Sequence, residues 1–265
     1  DADRVGVAVK DRNGNFVLLN GNQTASVLIY YLLKMWKLQG KLTSKEFIVK
    51  TIVTTELLKA IAVKEKVECF DVLTGFKYIA DIIRKQEGLM TFIGGGEESY
   101  GYLAGDFVRD KDAVISCCLI AEAAVYAASI NMNLLELLNQ IYIEYGFYKE
   151  KLISIERKGK EGAKQIKKIM CDYRNNPPLV INNSKVILIK DFLLQKEIDL
   201  VADKTQKTDL PVSDVIQFLL EDGSKITIRP SGTEPKIKYY FSVNTPVSDT
   251  SVFTSIDQLL AIRID

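Results

Sequence analysis

Between residues 48 and 93, three short β-rich runs (48–54, 67–72 and 89–93) alternate with two stretches of helical pattern, 56–64 and 75–86. Strands separated by helices pair through crossovers, so this alternation predicts an α/β layer with a largely covered sheet. The third run leads into Gly94-Gly95-Gly96, which reads as a flexible stretch without regular structure.

The flanks extend the pattern. An alternating run from Arg4 to Val9 and a second from Phe16 to Leu19 stand on either side of Asn13-Gly14, the signature of a β-hairpin. Residues 23–39 follow as a helix stopped at Gly40. Asp112 is placed to cap a helix over 113–130 that is apolar on all sides, a pattern that predicts burial. A second, amphipathic helix over 134–145 ends at Gly146.

The Lys-rich stretch 149–178 reads as a connection plus an amphipathic helix over 162–173. Beyond it come a strand over 185–190, a hairpin of 215–220 and 225–229 about Asp222-Gly223, a strand over 236–243, and a closing helix near 252–262. The expected architecture is therefore α/β plus α+β, a mixed-sheet α/β domain followed by a smaller α+β domain. Residues 1–20 form a hairpin remnant, 21–150 the first full domain and 151–265 the second.

Composition narrows the chemistry. A net charge of +1 gives no single-signed field to draw nucleic acid or an acidic membrane. The longest apolar stretch is too short and interrupted to cross a bilayer, and no signal peptide is visible. Histidine is absent, which removes the commonest general base and metal ligand. Cys69, Cys117, Cys118 and Cys171 lack zinc-type spacing and read as reduced, buried thiols of a cytoplasmic protein. The first residue is Asp1, which reads as a fragment or a processed chain.

Three segments can carry chemistry. Asp1-Ala2-Asp3-Arg4 presents two carboxylates two residues apart, suited either to a hard divalent cation or to plain solvation. The run 94–101 places Glu97 and Ser99 beside three glycines, where a carboxylate and a hydroxyl can meet sugar hydroxyls; an exposed acidic turn is the alternative. Arg109-Asp110-Lys111-Asp112 lies just beyond, either a surface ion-pair cluster or the source of a positioned lysine. In the third segment, Arg229, Ser231, Gly232 and Thr233 pack a guanidinium, two hydroxyls and an open amide into five residues, a density of donors that favours phosphate over a bare turn.

The order D-A-D-R, G-E-E-S-Y-G and R-P-S-G-T resembles the α-D-phosphohexomutase superfamily. The stretch GGEESYGYLAGDFVRDKDAV at 95–114 is similar to its bacterial phosphoglucomutase (phosphoglucomutase/phosphomannomutase) branch, as are Leu73-Thr74-Gly75-Phe76-Lys77 and residues 158–163. The resemblance covers essentially the whole chain. It implies the third and fourth of four domains around a cleft, one Mg²⁺, a phosphoserine, and phosphorylated hexoses as partners: glucose 1-phosphate, glucose 6-phosphate and glucose 1,6-bisphosphate.

By the same resemblance, Asp1 and Asp3 are metal-loop carboxylates and Arg4 lies beside the reacting phosphoryl group. Glu97 and Ser99 hold sugar hydroxyls, and Arg229, Ser231, Gly232 and Thr233 hold the non-reacting phosphate. Lys111 matches a cleft lysine that assists proton transfer, and Lys77 is a further cleft contact. Two departures stand out. Mannomutase-type members often carry a histidine where this chain has Gly101, and no segment resembling T-A-S-H-N-P is present, so the phosphoserine domain is expected to lie in N-terminal domains missing from this chain. Other mutases of the superfamily (phosphomannomutase, phosphopentomutase or phosphoglucosamine mutase) and a non-catalytic phosphosugar-binding module are the alternatives.

Overall fold

The computed structural model describes residues 2–232 and 234–264. Two compact units divide the chain, Asp1–Tyr148 with Pro246–Phe253, and Lys149–Thr245 with Thr254–Asp265.

The first unit opens with the expected hairpin, β1 (Val7–Lys10) antiparallel to β2 (Phe16–Leu19). Asn20 then caps α1 (Gly21–Leu38): its side chain accepts from the Gln23 N–H while the Gln23 side chain accepts from the Asn20 N–H. This reciprocal pair satisfies two donors that a helix start otherwise leaves open. Gly40 adopts φ +65° just past the helix end, as read from the sequence.

The α/β layer follows in the predicted order: β3 (Glu46–Thr51), α2 (Leu57–Lys64), β4 (Glu68–Val72), α3 (Phe76–Gln86) and β5 (Thr91–Glu97). Strand β6 (Gly101–Ala104) then doubles back on β5. The sheet order is β4-β3-β5-β6, with β3 parallel to both β4 and β5, and β6 antiparallel. The chain thus moves one way from β3 to β4 and returns past β3 to reach β5. Right-handed crossovers then put successive helices on opposite faces. Phe76, Ile79 and Ile83 of α3 pack with Phe47, Val49 and Phe92 on one side, and all six residues of β3 are buried, so both faces are covered.

Gly94, Gly95 and Gly96 correct the sequence reading. They are not a flexible stretch; all three lie in β5. A Cβ on Gly95 would sit 2.2 Å from the Val49 carbonyl oxygen, and one on Gly94 would crowd Leu32 of α1 at 3.1 Å. Close approach of neighbouring elements explains these two glycines.

Helices α4 (Ala113–Ser129) and α5 (Leu134–Tyr145) complete the unit. Asp112 does cap α4, accepting from Val114 and Ile115. The expectation that α4 is buried all round is overturned. Only Ser116, Ala123 and Ala127 are fully buried, while Val114 and Val125 stand 76% and 70% exposed. Its neighbours among the described residues cover one stripe of the cylinder, so uniform apolarity did not translate into burial.

The second unit is built on an eight-stranded sheet. Its elements are β7 (Phe147–Glu156), α6 (Gly159–Asn175), β8 (Val180–Ile181), β9 (Ser184–Asp191), β10 (Lys196–Asp199) and β11 (Lys204–Lys207). Then come β12 (Ile216–Leu220), β13 (Lys225–Pro230), β14 (Lys236–Thr245) and, after a 3₁₀ turn, α7 (Phe253–Ile264). The order is β11-β10-β9-β12-β13-β14-β7, with β8 paired to β9. Ile166 and Met170 of α6 pack on Val186, Ile189, Phe218, Ile228 and Ile237 from the sheet.

Part of the stretch read as a connection is strand β7, and β10 and β11 went unseen because they are short and, in β11, wholly exposed and polar. The cysteines also differ from the expectation. All four are free, but Cys117, Cys118 and Cys171 are exposed, and only Cys69 is partly sheltered.

Candidate functional site

The strand order reverses between β3 and β5, and α/β sheets take their ligands at the carboxyl ends of strands flanking such a point. Glu97 is the last residue of β5 and therefore stands at that point. It is 8% exposed, and its Oε1 accepts the Gly75 N–H at 2.9 Å. Gly75 precedes α3 with φ +116° and ψ 126°, a conformation that a residue with a Cβ adopts only under strain. One oxygen of Glu97 is thus fixed by the backbone.

A three-residue turn, Glu98-Ser99-Tyr100, links Glu97 to Gly101 across the hairpin pair. Tyr100 closes it at φ +71°, the left-handed conformation that a three-residue hairpin loop needs. Helix α1 supports the turn closely: a Cβ on Gly21 would come within 1.8 Å of the Glu98 carbonyl oxygen, and the Tyr102 hydroxyl donates to the Gly21 carbonyl at 2.9 Å.

The N-terminal segment is laid on this turn. The Val5 N–H donates to the Tyr100 carbonyl at 3.1 Å, and Arg4 Nη1 donates to the Ser99 carbonyl at 3.2 Å. That docking carries Asp3 to Lys111, whose Nζ lies 3.3 Å from Asp3 Oδ2 and 2.9 Å from Asp110 Oδ1. The same ammonium sits 5.2 Å from the centre of the Phe76 ring. Burial pulls the Lys111 pKa down, but the Asp110 and Asp3 carboxylates outweigh it and the net shift is upward. For Asp3, a desolvation penalty is likewise outweighed, mainly by the Lys111 hydrogen bond, and its pKa falls below the ordinary carboxylate value.

The first unit therefore brings together Asp3, Arg4, Glu97, Ser99 and Lys111, all read from the sequence. Lys77 follows Phe76 in the chain; its side chain is exposed, with its ammonium 4.9 Å from the centre of the neighbouring Tyr78 ring. Asp1 lies outside the described residues. Gly75, Phe76 and Asp110 were not singled out as site residues. The only signal for them was their adjacency to Lys77 and Lys111 in the two motif stretches.

In the second unit, Arg229 and Pro230 end β13, with Arg229 in register with Lys238 of β14. The Ser231 N–H donates to the Lys236 carbonyl at 2.8 Å and closes the turn between the strands. Gly232 has open space around it, since an added Cβ would meet nothing within 4 Å. Arg229, Ser231 and Gly232 thus stand at one turn, with Lys236 Nζ 3.2 Å from Glu234 Oε2 at its far side. Thr233 lies outside the described residues.

Residues 20–145 match the family model for the phosphoglucomutase/phosphomannomutase alpha/beta/alpha domain III, and residues 154–256 match that for the C-terminal domain. The chain belongs to the phosphoglucomutase/phosphomannomutase family. A phosphoglucomutase of Staphylococcus aureus (strain MRSA252) is 41% identical over 249 residues, covering 94% of this chain and 44% of the relative. That of strain MSSA476 is 40% identical over 243 residues, covering 92% and 43%. The chain thus spans less than half the length of these relatives.

Among solved structures, the open form of pp63/parafusin, a phosphoglucomutase of Paramecium, aligns with a TM-score of 0.63 at 17% identity, covering 99% of this chain and 43% of that one. A putative phosphomannomutase of Thermus thermophilus aligns at 0.56 and 17% identity, covering 92% and 40%. These two likenesses show that the chain shares the fold of the matching parts of those structures.

Proposed function

We propose that this chain carries the sugar-recognition and phosphate-binding parts of a phosphoglucomutase, which interconverts glucose 1-phosphate and glucose 6-phosphate through a phosphoserine and a glucose 1,6-bisphosphate intermediate. The supporting observation is the convergence of Lys111, Asp3, Arg4 and Glu97 at the strand-order reversal, in a chain 41% identical to a phosphoglucomutase.

The side chains suit that task. Glu97 holds one oxygen on the Gly75 N–H and offers the other to a sugar hydroxyl, with the Ser99 hydroxyl two residues away. Arg4 and Lys111 supply positive charge for a phosphoryl group in transit. With its pKa raised, Lys111 rests as the ammonium at neutral pH, a fixed charge or a proton donor. The Arg229 guanidinium, the Ser231 hydroxyl and the Gly232 amide receive a phosphate that does not react. Positioning and charge dominate such transfers.

A phosphoserine and Mg²⁺ belong to the reading but not to the described residues. Among these, no three His, Cys, Asp or Glu side chains converge, and Asp3 is engaged by Lys111. They do not form a metal site by themselves. Asp3, with Asp1, would contribute carboxylates to a site completed by other ligands. A cytoplasmic setting goes with this reading. Among the described residues no single helix is long and apolar enough to cross a membrane.

The test is a mutase assay on the full-length protein with glucose 1-phosphate and mannose 1-phosphate. Turnover with preference for glucose is expected. Absence of turnover with either sugar overturns the reading in favour of a phosphopentomutase, a phosphoglucosamine mutase or a binding module. The 265-residue chain assayed alone should bind phosphosugar weakly and not turn over.

A further inference from the structure

Gly101 begins β6 directly opposite Glu97, and its backbone does not require glycine. It is absent from the residues with positive φ, whether glycine or not. Any L-residue can adopt its conformation. Nor does the neighbouring backbone forbid a side chain, in contrast to Gly95, where the obstacle is the Val49 main chain. A Cβ at Gly101 would instead lie 2.3 Å from Lys111 Cδ and 3.0 Å from Lys111 Cγ, with Glu97 Oε2 at an ordinary 3.7 Å. The space that a side chain at position 101 would fill is taken by the stem of Lys111.

We propose that Gly101 is a positioning residue for Lys111: its missing side chain is the gap through which the lysine crosses the hairpin to reach Asp3 and the Phe76 ring. This goes beyond assigning Lys111 to the site, because it names what puts the ammonium there. The gap makes the two positions mutually exclusive. A side chain at 101 and an ammonium in this seat cannot coexist, so the residue at 101 decides whether the site holds this charge.

Lysine is also the part that would yield. Its stem is a flexible chain of four carbons, whereas the hairpin is held by the β5–β6 pairing and by the Asp112 N–H on the Tyr102 carbonyl. A methyl group at 101 therefore evicts the lysine and leaves the sheet intact. Any consequence for phosphosugar binding rests on the function proposed above, but the eviction does not.

The experiment uses the 265-residue chain in four forms: parent, Gly101→Ala, Lys111→Ala and the double variant. Lysines are acetylated with limiting acetic anhydride and quantified by peptide mass spectrometry. Lys111, whose side chain is only 14% exposed in the parent, should be protected there and become several-fold more reactive in Gly101→Ala, with neighbouring lysines unchanged. Unchanged protection in a folded Gly101→Ala overturns the proposal.

Urea unfolding supplies the second readout. Adding Gly101→Ala to Lys111→Ala should cost nothing further, because the methyl group then enters vacated space; such non-additivity marks residues that act through one another. If Gly101→Ala fails to fold and the double variant fails as well, the main chain demands glycine and the proposal is wrong. Calorimetry with glucose 1,6-bisphosphate separates the two claims. Eviction of Lys111 with unchanged affinity refutes the role of Lys111 in binding while the positioning by Gly101 stands; equal losses in both single variants, with none added in the double, support both.

Discussion

The Gly75 N–H reaches across to Oε1 of Glu97 at 2.9 Å, so the loop before α3 sets the direction of the carboxylate at the end of β5. Glu97→Ala in the full-length protein should remove much of kcat/KM, because a site built to bind hydroxyls discriminates by the partners it leaves unpaired. Kinetics within about twofold of the parent, ~0.4 kcal/mol of transition-state stabilisation, would exclude this role.

Gly75→Ala tests the support separately. The added Cβ meets only Tyr78 Cδ2 at 3.9 Å, so its penalty is conformational and comes from φ +116°. A loss on the order of 1–3 kcal/mol in unfolding free energy is expected for a side chain forced into such a region. Urea unfolding of the chain measures it, and an unchanged midpoint would mean that the loop relaxes without strain.

The turn after β13 makes a distinct prediction. Arg229→Ala should weaken glucose 1,6-bisphosphate binding by roughly ten- to hundredfold, since a charge-assisted contact contributes about 1.5–3 kcal/mol. Arg229→Lys should recover only part of it, because an ammonium keeps the charge but loses the planar fork. Calorimetry reads both, and equal affinity in all three proteins would assign the turn another purpose.

What the sequence revealed follows from how local each signal was. The Asp112 cap and the alternation of β3, α2, β4 and α3 are written in adjacent residues and appear in that order, whereas the reciprocal cap at Asn20 and Gln23 was not read and α1 starts two residues before the expected 23–39. Glu97, Ser99 and Lys111 were legible because they share two short motifs. Gly94, Gly95 and Gly96 were misread because glycine marks both flexibility and close packing, and only the partner elements, α1 and β3, decide between them. The exposed side of α4 was misread for a similar reason: apolarity shows what a helix can bury and not what lies against it. The Asp3–Lys111 pair spans more than a hundred residues and depends on the Val5–Tyr100 docking, which no local pattern encodes.

Thiol chemistry offers a direct check of burial. Burial pushes the Cys69 thiol up to about 12, against a smaller opposite pull from Lys50, so it carries almost no thiolate at pH 8. Maleimide in excess at that pH should label Cys117, Cys118 and Cys171 quickly and spare Cys69 until the chain unfolds. Equal labelling of all four, read by mass spectrometry, would contradict the packing of β4.

Lys50 provides the strongest test of the sheet's electrostatics. It lies in β3 with its side chain wholly buried, its Nζ 2.9 Å from Glu56 Oε1 and 2.7 Å from Asp71 Oδ1. Burial works against its charge, yet the two carboxylates outweigh that and raise its pKa above the ordinary 10.5. Lys50→Ala leaves both acids without their cation beside a new cavity, and a loss of about 3–5 kcal/mol is expected, as for a broken buried ion pair. Lys50→Met/Glu56→Gln/Asp71→Asn, which removes the charges together and keeps the volume, should cost far less. The pH dependence has a fixed sign. A lysine whose folded pKa is raised stabilises fully below 10.5 and loses that contribution as pH climbs from there through the folded value. The parent should therefore lose stability above pH 10.5 more steeply than the triple variant, which has no such proton to release. Parallel alkaline unfolding curves for the two proteins would show that Lys50 is not held charged by Glu56 and Asp71.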